Sequence, residues 1–93
     1  MKTYYIVVVE DQAEHYEEHT ASIGEIAYDN LDDAKRELEN FINDIETNTE
    51  WSWVATALMD TIRKKTLSDR WVEYIDMYSD NRMYAYITEI KIK

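Results

Sequence analysis

Hydrophobic residues recur at steps of three and four from Leu31 to Ile45, through Ala34, Leu38, Phe41 and Ile42. That spacing gathers them on one stripe of an α-helix and predicts a core-packing helix within Tyr28–Glu46. Asn30 is positioned to cap it. Asp32 and Asp33 then fall in the first turn, where the helix dipole favours negative charge. The opposite side carries Asp33, Glu37, Asn40 and Asp44, so the predicted helix buries one face and presents an acidic one. Tyr28 ends a strand-like run and can fold back onto the helix.

Other stretches follow the period of two. Thr3–Glu10 is β-branched and aromatic on both faces, with Tyr5, Val7 and Val9 on one and Tyr4, Ile6 and Val8 on the other. It predicts a strand central in its sheet. The charged residues 11–18 predict a hairpin connection to a weaker strand over His19–Tyr28, where Gly24 suggests a bulge. A second helix is expected over about Glu50–Thr66, capped by Asn48 or Thr49. Trp51, Val54, Ala55, Leu58 and Ile62 form its stripe, with Arg63, Lys64 and Lys65 at its C-terminal end. Trp53 lies off that stripe. Residues 68–78 fit either period, and the turn-forming Ser79-Asp80-Asn81-Arg82 favours a strand. Met83–Ile92 predicts a last strand, with Tyr84, Tyr86, Ile90 and Ile92 opposite Met83, Ala85 and Ile87. The expected order is β-β-α-α-β-β. It describes a single α+β domain over residues 1–93, with two helices packed on one face of a mostly antiparallel sheet.

Composition narrows the functional classes. Among 93 residues there is no cysteine or proline and one glycine. Disulfides and thiolate metal sites are excluded, and a reducing, cytoplasmic setting is expected. No apolar run approaches the roughly 18 residues of a membrane span. The net charge of −10 is one-sided. Residues 1–50 hold fourteen acids against Lys2, Lys35 and Arg36, whereas residues 51–93 hold six acids against seven bases. Such a surface repels phosphate backbones and attracts basic proteins, many of which themselves bind nucleic acid. Solubility alone is the blander explanation.

Candidate chemistry is sparse. His15-Tyr16-Glu17-Glu18-His19 matches the letters of an inverted zinc-peptidase motif, but it lies between two predicted strands and lacks a third-ligand motif. A charged hairpin accounts for it. Asp29, Asp32 and Asp33 fail the calcium-loop spacing and are explained by helix capping. Neither a G-x-S-x-G sequence nor a phosphate-binding glycine loop is present, so the reading is non-enzymatic, with no cofactor and no metal. The C-terminal half is rich in interface-type residues: Trp71, Tyr74, Tyr78, Tyr84 and Tyr86, with Met77 and Met83. Alternate strand residues must face away from the helices, so these residues supply either a small aromatic core or a second apolar patch.

The strand TYYIVVVE, the segment YDNLDDAKRELENFI and the closing YAYITEIKI resemble small phage-encoded accessory proteins. In size, acidity and lack of cysteine the chain is similar to anti-CRISPR and antirestriction proteins, several of which mimic DNA. The resemblance implies a host-cell cytoplasmic setting and a defence complex, such as a CRISPR or restriction effector, as target. On this reading the chain inhibits a basic nucleic-acid-handling complex by occupying its nucleic-acid-binding surface. The residues expected to meet the partner are Glu14, Glu17 and Glu18 of the hairpin and Asp33, Glu37 and Asp44 of the helix, with Trp71 and Tyr84 as aromatic anchors. The alternative is an adaptor module that self-associates, as a homodimer for example, through its sheet or aromatic patch. Direct nucleic-acid or membrane binding is not expected.

Overall fold

The computed structural model describes residues 2–12, 20–23, 26–57, 61–79 and 81–92. The elements run β1 (Lys2–Gln12), β2 (Thr20–Ile23), α1 (Leu31–Thr47), α2 (Trp53–Ala57), β3 (Ile62–Ser68), β4 (Trp71–Asp76) and β5 (Arg82–Ile92). The five strands form one antiparallel sheet in the order β2-β1-β5-β4-β3. The α+β class is as expected, with one strand more than the sequence pattern indicates. β1 is interior, flanked by β2 and by an eleven-residue ladder with β5. This agrees with its two apolar faces.

α1 starts where its cap predicts. Asn30 is extended, and its side chain accepts from the Asp32 backbone N–H at 2.8 Å, with Asp32 and Asp33 in the first turn. Ala34, Leu38 and Ile45 are buried against Val7 and Val9 of β1 and Met83, Ala85 and Ile87 of β5. Tyr28 forms an isolated bridge to Tyr5, with backbone hydrogen bonds of 2.7 and 2.9 Å in both directions. This ties the entrance of α1 to the sheet.

The second helix needs correction. It spans only Trp53–Ala57, and Ile62–Ser68 is an edge strand paired with β4. Leu58 lies outside the described residues. Ser52, rather than Asn48 or Thr49, caps the helix: its buried hydroxyl accepts from Ala55 N–H at 3.3 Å and donates to the Ile45 carbonyl at 2.6 Å. Asn48 instead closes α1, its N–H bonded to the Asp44 carbonyl. Arg63, Lys64 and Lys65 are therefore exposed strand residues, not helix-end cations. The helical spacing of Ile62 is overridden because pairing with β4 satisfies the backbone and the β-branched Ile62 and Thr66 suit a strand. Lysine on an edge strand also discourages edge-to-edge pairing.

Residues 71–76 resolve as strand. Val72 and Tyr74 point to the helices, whereas Tyr78 lies beyond the strand and is exposed. The turn-forming residues before β5 supply local caps, with Tyr78 N–H bonded to Asp76 and Asn81 N–H to Ser79. Asp11 and Gln12, expected in the charged hairpin, instead extend β1; the rest of that hairpin, its His15–His19 motif and Gly24 lie outside the described residues. No helix among the described residues is long and apolar enough to cross a membrane.

Candidate partner-binding site

Two surfaces on opposite layers carry the residues singled out above. The first is the outer side of α1. The 3.6-residue period places Asp33, Glu37, Asn40 and Asp44 along one line, and an open groove of about 690 Å³ follows that line. Asp33, Glu37 and Asp44 line the groove together with Arg36, whose guanidinium lies 3.5 Å from Asp33. Tyr28 forms one wall. Its pKa is raised, by loss of solvent first and by its hydrogen bond to Glu37 second. Glu37 Oε2 is buried without a hydrogen-bond partner. Asp44 is held by two donors, Trp51 Nε1 at 2.8 Å and Asn48 Nδ2 at 3.2 Å. The side chains are thus oriented before any partner arrives. Tyr28, Phe41 and Asn43 complete the groove and were not among the expected contacts.

The second surface is the sheet face turned away from both helices. Cross-strand neighbours share a face, so the register builds its rows directly. Val8, Tyr86 and Trp71 form one row, and Glu10, Tyr84, Glu73 and Lys65 form the next. Trp71 stacks on Tyr86 and meets Tyr84 edge-on with ring centroids 6.0 Å apart. Tyr86 Oη donates to Glu10 at 3.1 Å. Its pKa is raised, chiefly by burial and then by this hydrogen bond. Arg82 lies 3.5 Å from Glu73.

The expected contact residues are therefore divided. Asp33, Glu37 and Asp44 come together on α1. Trp71 and Tyr84 come together on the sheet, one layer away. Glu14, Glu17 and Glu18 lie outside the described residues. Tyr74 belongs to neither surface, being fully buried beneath the helices. The contribution of β1 to the second surface was legible in its double-sided apolar pattern. The Trp71–Tyr86 stack was not, because it depends on the register of β4 against β5, which pairs two residues fifteen positions apart in sequence.

The described residues include no cluster of three or more His, Cys, Asp or Glu side chains able to hold a metal ion. No protein-family model, curated protein or solved structure matches the chain.

Proposed function

We propose that this protein is a non-enzymatic, acidic binding protein that inhibits a basic nucleic-acid-handling complex by occupying its nucleic-acid-binding surface. The observation that carries this reading is the shared groove of Asp33, Glu37 and Asp44 along one rigid helix. At 1.5 Å per residue these carboxylates span about 16 Å of helix axis. Duplex DNA carries one charge per about 1.7 Å, so the row is sparser than a phosphate lattice. It suits the anchoring of a few lysines or arginines on the partner, with long-range attraction from the net charge of −10 speeding encounter. CRISPR and restriction effectors, in the cytoplasm of a host cell, are the partners that the resemblance to phage-encoded proteins implies.

The test is affinity capture from nuclease-treated lysate at low and then high salt, repeated with the double variant Glu37→Lys/Asp44→Lys. The expected result is a basic complex retained at low salt, displaced by added DNA or RNA, and lost with the variant. Capture that is indifferent to salt, to nucleic acid and to the charge reversal overturns the reading.

A further inference from the structure

The uncovered face of the sheet stands apart from the acidic groove in position and in chemistry. Tyr4 and Ile6 of β1, Trp71 of β4, and Tyr86, Ile90 and Ile92 of β5 occupy the side opposite the helix-facing Val7, Tyr74 and Ala85. Ile90 and Ile92 are 40% and 53% exposed. Trp71 Nε1 is buried without a hydrogen-bond partner, so the stack at the centre of this face offers no indole donor at its surface.

We propose that this face is the contact surface between two copies of the chain, joined sheet to sheet as a homodimer. Size supports that occupant. Two eleven-residue strands flanked by strands of four, six and seven residues, at about 4.8 Å between strands and 3.3 Å along them, give a face of roughly 600 Å². Two such faces bury roughly 1,200 Å², the lower bound of stable, specific interfaces.

Charge supports it independently. By alternation and register the described residues of the face include four bases, Lys2, Arg63, Lys65 and Arg82, and two acids, Glu10 and Glu73. In a chain of net charge −10 this is the side on which two copies approach with least acid-to-acid repulsion. A two-fold contact is self-complementary, so the Glu10–Glu73 row of one copy can meet the Arg63–Arg82 row of the other. Aligned sheets pack about 10 Å apart with their inner side chains interdigitated, and the Trp71–Tyr86 stack supplies the central anchor. The two α1 grooves then point outward on opposite sides.

The experiment is sedimentation velocity over a wide dilution series, with far-ultraviolet circular dichroism as the check on folding. The wild-type protein is expected to sediment at twice the mass of one chain and to dissociate on dilution. Ile90→Lys/Ile92→Lys alters only side chains already exposed in a single copy. It is expected to weaken association about 30-fold or more, with an unchanged dichroism spectrum. Glu37→Lys/Asp44→Lys, on the opposite layer, is expected to leave association intact, which separates this proposal from the acidic-groove reading. A wild-type protein that stays monomeric throughout overturns the proposal. So does an isoleucine double variant that is folded and associates as tightly as wild type.

Discussion

Trp71 lies flat against Tyr86, ring centroids 4.2 Å apart and planes 15° apart, on the side of the sheet that neither helix covers. The two residues are directly paired across β4 and β5. Their contact therefore fixes the register of the two strands as well as covering apolar surface. Removing the ring altogether, Trp71→Ala, is expected to cost about 2–4 kcal/mol, since the residue is only half-buried. Trp71→Phe keeps a stacking ring and deletes an N–H that has no partner, so its cost should stay within about 1 kcal/mol. Urea midpoints for the two variants decide the point. Equal losses would mean that stacking is not what Trp71 contributes.

Ser52 joins the two helices through one hydroxyl. It donates to the last buried turn of α1 and accepts from the first turn of α2. Ser52→Ala leaves the Ile45 carbonyl without its side-chain donor and removes the cap. A loss of about 1–2 kcal/mol is expected, measurable as a lowered denaturant midpoint. Glu50, exposed nearby, should be replaceable by Ala at no measurable cost.

Tyr74 is fully buried with its hydroxyl towards Glu46, and burial first, then the charge of that carboxylate and hydrogen bonding to it, raise its pKa above the ordinary 10.0. The folded chain thus holds this proton more tightly than the unfolded chain. The associated stability is complete below about pH 10 and is lost as pH rises beyond it. Tyr74→Phe should cost less than about 1 kcal/mol at neutral pH and make the alkaline loss less steep. Tyr28 and Tyr86, whose pKa values are also raised, keep part of that slope. Denaturant titrations at pH 8 and above pH 10 give both numbers. An unchanged alkaline slope would remove Tyr74 from the account.

Lys35 bonds Asp69 at 2.6 Å across the edge of the sheet, and that bond first, with its charge second, holds the Asp69 carboxyl below its ordinary 3.8. The pair therefore contributes above the unfolded carboxyl range and fades as pH falls through the lowered folded value. In Lys35→Met the Asp69 titration, followed by carboxyl chemical shift, should move up towards 3.8. Because Asp69 is largely exposed, the thermal midpoint should barely change.

The sequence by itself determined α1, with its cap, its apolar stripe and its acidic side, because those depend on residues within four positions of one another. It likewise determined β1 and β5, whose β-branched and aromatic runs are long and unbroken by turn residues. It misassigned Ile62–Ser68, since Ile62 continues a helical stripe and three following cations suit a helix end. Only pairing with β4, and the Lys64–Glu46 contact at 3.0 Å that this strand allows, decides for the strand. The acidic groove was legible because one helix carries all three carboxylates. That Trp71 and Tyr84 stand one layer away, beside Tyr86 and Glu10, was decided by tertiary structure alone: strand order and register are set by long-range pairing, which local spacing does not encode.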